Sequence, residues 1–168
     1  MTTNARVALV SPKCNAIYFR PLCRADEGLI LQAANHLSPK SLYLRFCVGT
    51  PRIPDHYISL LNSIISGSGV VVGAFLAGGS LVGWAELVNT SSQKADMGIL
   101  VVDPWQGQGI GGQLLENVME TAARQGMETV TADVLQENER AIRLLVSRKG
   151  IARHKSEGLI NFHISVGQ

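Results

Sequence analysis

At 168 residues the chain has the length of one domain with a genuine core, and its 46% apolar and 17% charged residues exclude broad disorder. A net charge of +2 is far below that of a dedicated nucleic-acid binder, so no nucleic-acid partner is expected, although a small anionic ligand is compatible. The three cysteines, Cys14, Cys23 and Cys47, are odd in number, far apart and free of any C-x-x-C pair, which argues against a disulfide framework or zinc site and points to a reducing cytoplasm.

The opening "MTTNARVALVSPKC" contains an apolar run of about four residues before Ser11 and Pro12, too short for a signal peptide. "AIYFRPL" (Ala16 to Leu22), β-branched and aromatic, reads as a first strand. Leu29, Ile30, Ala33, Ala34 and Leu37 then recur at helical spacing behind Asp26 and Glu27, acids suited to a helix start. Ser38-Pro39 predicts a second helix through "KSLYLRF", with serine as cap and proline at the first position, and a third follows Pro54-Asp55. Ile64 to Ala85 is an uncharged run of 22 residues, but its six glycines and the Gly78-Gly79 pair predict a hairpin, "VVVGAFL" then "SLVGWAELV", rather than a membrane span; no membrane partner is expected. Lys94 to Val102 alternates as a half-buried strand, placing Asp96, Gly98, Leu100 and Val102 on one face. An amphipathic helix carries Leu114, Leu115, Val118, Met119 and Ala122 and closes at Gly126; "ETVTADVL" is another strand. Asn138 caps a helix through Lys149, ended by Gly150, and a polar turn "HKSEG" separates the last two strands, the second being "LINFHISV". The mixture implies an α/β chain of the α+β type, a largely antiparallel sheet with helices on its faces.

Between strand and helix lies "DPWQGQGIGG", which contains a literal G-x-G-x-x-G from Gly107 to Gly112, with Asp133 at the spacing of a ribose-binding acid. A dinucleotide fold is nevertheless disfavoured: Asp103-Pro104-Trp105-Gln106 separates the strand from the glycines, and the 56 residues after Gly112 cannot supply two mononucleotide-binding halves. No Lys-Ser or Lys-Thr follows, so a Walker loop fails as well. What remains is a run of small residues opening a helix, which suits a phosphate, against the plainer reading of a tight chain reversal.

"ILVVDPWQGQGIGGQLL" resembles the signature of the GNAT superfamily of acyl-CoA-dependent N-acyltransferases, V-x-P followed by [Q/R]-x-x-G-x-[G/A], as Val102-Asp103-Pro104 and Gln106-Gly107-Gln108-Gly109-Ile110-Gly111. "QENERAIRLLVSRKGI" is similar to the family's N-x-x-A segment, at Asn138 and Ala141, and the order of elements agrees from about Ala16 to Val166. The resemblance implies the GNAT fold as a single domain over 1–168, a mixed, mostly antiparallel central sheet of six to seven strands flanked by about four helices. It implies acetyl-CoA as cosubstrate, no metal, a primary amine as acceptor, and leaves room for a homodimer. Coenzyme A would set its pyrophosphate on the amides of Gln108, Gly109, Ile110, Gly111 and Gly112, within the loop of Gln106 and Gly107. The pantetheine arm would bond the strand edge at Leu100, Val101 and Val102, with Asn138 beside it. "LSPKSLYLRF" and "PRIPDHYISLL" are similar to bacterial protein lysine acetyltransferases of the Pat type, which makes a protein lysine the preferred acceptor and a small amine the alternative. Such proteins often carry a cyclic-nucleotide-binding or acyl-CoA-synthetase-like region, for which this length leaves no room.

A base must take the proton of an acceptor whose reference pKa is about 10.4. Asp96 is the first candidate, on the face of Leu100 and Val102 and at a position where Pat-type enzymes carry an acid; its short side chain favours a bridging water. Glu86, in "GWAEL", is the second, and strand N-H groups near Val102 are candidate oxyanion donors. Many GNAT enzymes place a tyrosine seven residues after the asparagine to protonate the leaving thiolate; here Leu145 stands there, and Asn138 to Gly150 is one residue longer than the family pattern. A non-catalytic acyl-CoA sensor is therefore the reading from another class. His36, His56, His154 and His163 lack ligand spacing, Cys47 reads as a small buried hydrophobe, and "RKGIARHK" reads as a solvated basic turn more readily than a ribose-phosphate contact. Arg45 either orients an acidic group or the cofactor, or packs on its own helix.

Overall fold

In the computed structural model, which describes residues 6–8 and 16–167, every strand joins a single sheet. The strands are β1 (Arg6–Ala8), β2 (Ile17–Pro21), β3 (Gly69–Leu76), β4 (Leu81–Asn89), β5 (Lys94–Val101), β6 (Thr129–Leu135), β7 (Ile151–Ser156) and β8 (Leu159–Ser165), in spatial order β1-β2-β3-β4-β5-β6-β8-β7. The α-helices are α1 (Glu27–Ala34), α2 (Pro39–Phe46), α3 (Asp55–Ser63), α4 (Ile110–Arg124) and α5 (Glu139–Ser147). All neighbouring strands are antiparallel except β5 and β6, so the sheet is mixed and mostly antiparallel as expected. The count runs one strand and one helix beyond expectation, β1 being a three-residue strand too short to announce itself. Most of "MTTNARVALVSPKC", including Cys14, lies outside the described residues.

The uncharged run from Ile64 to Ala85 is a π-helical turn, Ile64–Ser68, followed by the paired strands β3 and β4, with Gly79 in the reversal at φ 88°. These strands are central, with α4 against both β3 and β4 and α1 against β4, so their unbroken apolarity reflects burial on two faces. Among the described residues no helix is long and apolar enough to cross a membrane. Gly111 of α4 lies beside Val101, whereas Arg45 of α2 lies against Gly98, so the two helices occupy opposite faces of β5.

Local signals account for the element ends. The Ser38 hydroxyl accepts from Ser41 N at 3.2 Å and caps α2, with Pro39 in the first turn. After α4, Gly126 takes φ 74° and Met127 N donates to Ala122 O at 3.0 Å, closing the helix. The apolar stripe of α4 is buried at Ile110, Leu114, Leu115, Val118 and Ala122. Two boundaries differ from expectation. The last helix stops at Ser147, because Gly150 N reaches back to Leu145 O (2.9 Å) through Lys149 at φ 59°. His154, Lys155 and Ser156 belong to β7; the turn is only Glu157-Gly158, with φ of 49° and 82°, the backbone of a type I′ hairpin whose twist matches its strands. Asp26, expected only as an acid at a helix start, is buried in a two-pronged ion pair with Arg20, both bonds at 2.8 Å, and Arg20 lies over the Phe75 ring.

Candidate functional site

β5 and β6 run in parallel for only three residue pairs, Lys94↔Thr129, Ala95↔Val130 and Asp96↔Thr131, and then part. The fork holds a cleft of about 710 Å³. Gly98 to Val101 form one wall, Ala132 to Val134 the other, α2 contributes Ser41 and Arg45, and the start of α5 contributes Asn138 and Arg140. Gly107, Ile110 and Gly111 of the glycine loop line it as well.

That loop presents the N-terminus of a helix of 15 residues. Gly107 and Gly109 have φ of 76° and 82°, and Gly109 is the N-cap, so its left-handed backbone turns the chain into α4. The first intrahelical acceptor bond runs from Gln113 N to Gly109 O (3.2 Å), which leaves the amides of Ile110, Gly111 and Gly112 without intrahelical partners. Together with roughly half a positive charge from the helix dipole, these donors make the loop chemically suited to an anion.

The Gln106 side chain braces this loop. Its Nε2 donates to Val101 O (2.9 Å) and Ser41 Oγ (3.1 Å), while its Oε1 accepts from Arg140 Nη1 (2.7 Å). Gln108 Nε2 similarly donates to Pro104 O at 3.1 Å. Asp103 accepts from Ser38 N (3.2 Å); burial pushes its carboxyl pKa up, but hydrogen bonds from Ser38 and Ser41 outweigh that and hold it below the usual value. The loop is thereby tied to the start of α2 and to α5.

Strand register decides which main-chain groups reach the cleft. Val102 N donates to Val82 O (3.0 Å), so Val102 and, by alternation, Leu100 turn their polar groups to β4, while Val101 turns its own to the fork. Of the expected edge Leu100 to Val102, Val101 alone presents main-chain groups there, and the Val102 N-H expected among the oxyanion donors is already engaged.

The two candidate acids share a face but not an environment. Asp96 is exposed at the last paired position before the fork and accepts from the Thr131 hydroxyl. Glu86 sits opposite Gly98 on β4, is 3% exposed, pairs with Arg45 and accepts from Tyr57 Oη at 3.0 Å. Tyr57 Oη in turn accepts from Trp84 Nε1 (2.9 Å), and burial raises the tyrosine pKa. Of the two readings of Arg45, orientation of an acid is what the structure shows, and Glu86 is that acid. The role of Tyr57 was not legible in the sequence; an isolated acid in the apolar "LVGWAELV" was the only available signal that a buried partner must exist.

Asn138 caps α5, accepting from Ala141 N at 3.2 Å, and lines the cleft. Leu145 is buried in the same wall. Lys40, Arg140 and Arg143 also line the cleft, whereas none of the described residues of 148–155 does. Asp133 lines the cleft and accepts from Asn161 Nδ2 (2.7 Å) across the β6–β8 pair. Cys47 takes a left-handed conformation at the end of α2 and is exposed, not the small buried hydrophobe expected, although partial burial raises its thiol pKa. No group of three or more His, Cys, Asp or Glu suited to a metal ion occurs among the described residues.

The sequence profile of the acetyltransferase (GNAT) family matches residues 41–150. A comparison with curated protein sequences returns no significant match. Among solved structures, the chain is similar to the GNAT domain of Pat from S. lividans, with a TM-score of 0.86 at 19% identity over 96% of each chain. It is similar to yncA, a putative acetyltransferase from Salmonella typhimurium solved with acetyl-CoA (TM-score 0.72, 19% identity, 90% of this chain and 95% of that one). It is also similar to spermidine N-acetyltransferase from Vibrio cholerae, solved with CoA and spermine (TM-score 0.70, 18% identity, 89% and 95%).

Proposed function

The chain belongs to the acetyltransferase (GNAT) family, whose members are acetyl-CoA-dependent N-acetyltransferases, and from that premise we propose that it moves the acetyl group of acetyl-CoA onto a protein lysine. The observation that carries this reading is the coincidence of a glycine-opened helix N-terminus with the fork between β5 and β6. The pyrophosphate rests on the amides from Gln108 to Gly112. The pantetheine arm follows β5 at Val101, exchanging for the Gln106 bond to its carbonyl, with Asn138 alongside. The thioester then lies near Gly98, where the strands part.

The amine attacks the thioester carbonyl directly, in a ternary complex. The C-N bond forms, the tetrahedral intermediate expels the CoA thiolate, and the ammonium proton passes to Asp96 through a water. Asp96 suits this role by standing exposed beside the fork on the face of Gly98, outside the cleft lining and bonded, among the described residues, only by the Thr131 hydroxyl, whereas Glu86 is buried and held by both Arg45 and Tyr57. The resemblance of "LSPKSLYLRF" and "PRIPDHYISLL" to Pat-type enzymes supports a protein lysine; the likeness to the V. cholerae spermidine N-acetyltransferase supports a small amine as the second reading. Leu145 offers no hydroxyl to protonate the thiolate, and a thiol leaves tolerably without one; the same residue is what favours an acyl-CoA sensor that transfers nothing.

Mass spectrometry of candidate proteins and small amines after incubation with the chain and acetyl-CoA tests the reaction. Asp96→Asn is expected to abolish turnover and leave acetyl-CoA affinity unchanged by calorimetry. Undiminished turnover in that variant removes Asp96 as the base, and acetyl-CoA binding without transfer to any acceptor supports the sensor.

A further inference from the structure

Arg45 and Glu86 form a buried pair with a direction. Glu86 has 4% of its side chain exposed and lies behind Gly98, outside the cleft lining, while Arg45 has 23% exposed and lines the cleft at that residue. A Cβ at position 98 would collide with both the carboxylate and the guanidinium, so the bare glycine is what lets the pair press against the β5 backbone beside the fork. The carboxylate is fixed from behind by Tyr57 Oη at 3.0 Å, itself held by Trp84 Nε1. The guanidinium is flanked by the rings of Phe46 (5.3 Å) and Tyr57 (5.2 Å), and its Nε is buried without a hydrogen-bond partner. A cation short of one acceptor, with its counter-ion on the far side, presents the positive end of a dipole to the cleft.

We propose that Arg45, anchored by Glu86, is a positioning residue that keeps the acceptor amine uncharged at the fork. This rests on the reading of the cleft as an acetyl-transfer site. A positive end beside the amine disfavours its ammonium form, as any like charge does, and favours the negative charge that develops on the thioester oxygen. Glu86 sets the strength of the effect rather than taking the proton. The other titratable groups around Arg45 are Tyr57 from α3, Glu86 from β4, Cys47 at the end of α2 and Asp133 of β6 next to Cys47; Asp96 stands one step along the same face of β5.

The test is the pH profile of kcat, which reports groups in the bound complex, at saturating acetyl-CoA and with a panel of Nα-acetyl-lysinamide, a lysine-rich peptide and spermidine. Glu86→Gln keeps the shape and the acceptor for Tyr57 but removes the counter-ion, so the acid limb of kcat moves down by about one pH unit, raising kcat at pH 6 about tenfold. Arg45→Met combined with Glu86→Gln removes the positive end without burying a lone charge, and the limb moves up by about one unit. Acetyl-CoA binding by calorimetry checks that each variant is folded; if the double variant is not, the Glu86→Gln profile decides. A limb that stays in place in Glu86→Gln overturns the proposal, as does loss of all turnover at every pH with acetyl-CoA binding retained, which would make Glu86 the base. A wild-type chain inactive on the whole panel overturns the acetyl-transfer reading and this inference with it.

Discussion

Gly98→Ala probes how tightly the buried pair is built into the sheet. The added methyl would lie 2.8 Å from Arg45 Cζ, against an ordinary contact of 3.4–4 Å, and nearer still to the Glu86 carboxylate. Flexible ends usually move aside cheaply, but these two are held by each other and by Tyr57, and moving either exposes a buried charge to an unpaired state. The strain then falls on the β4–β5 ladder or expels the pair, at a cost of about 1–3 kcal/mol. For a domain of this size, each kcal/mol lowers Tm by about 2–4 °C, so a fall of about 5 °C is expected in a thermal melt followed by circular dichroism. Gly28→Ala in α1 is the control: position 28 is exposed with nothing within 4 Å of an added Cβ, and alanine there is expected to leave Tm unchanged or raise it slightly. A Gly98→Ala melt within about 1 °C of wild type would show that the pair yields freely and would refute the picture of a rigid, pressed ion pair.

Asp26→Asn is expected to lower unfolding free energy by about 2 kcal/mol at pH 7, because Arg20 loses its carboxylate partner in a part-buried setting. The hydrogen bond from Arg20 and the one from Cys23 N hold the Asp26 carboxyl well below its usual range despite burial, so its stabilisation is full above the unfolded pKa of about 3.9 and is lost as pH falls through the folded value. Urea titrations should therefore show the gap between wild type and Asp26→Asn constant from pH 7 to 5 and narrowing below about pH 4; a constant gap down to pH 2 contradicts the assignment. Gly109→Ala forces a side chain into φ 82° at the α4 N-cap, costing about 1–2 kcal/mol and reshaping the loop that opens α4, the proposed seat of the pyrophosphate. Calorimetry should show weaker acetyl-CoA binding by at least about tenfold, and unchanged affinity would remove the loop from the cofactor site.

The sequence by itself determined the elements and the loop. Ser38-Pro39, Gly126 and the period of the α4 stripe act over three or four residues, and β5 alternates within its own eight, so near-neighbour chemistry suffices to place them. The glycines before α4 likewise declare a helix opening, and Asp96 shares a face with Gly98 because alternation is a property of the strand itself. Short or composite features were not legible: the three-residue β1 has too little pattern, and "HKSEG" reads as a polar turn because Lys155 and Ser156 of the edge strand β7 are exposed and hydrophilic. Only the tertiary structure decided what the site is made of. Register turned Val102 to β4 and Val101 to the fork, the early parting of β5 from β6 opened the cleft, and docking of α2 and α3 on the sheet joined Arg45, Tyr57 and Glu86. Those contacts link residues on three separate elements, and a charge buried on a strand declares that it needs a partner without declaring which distant one it will find.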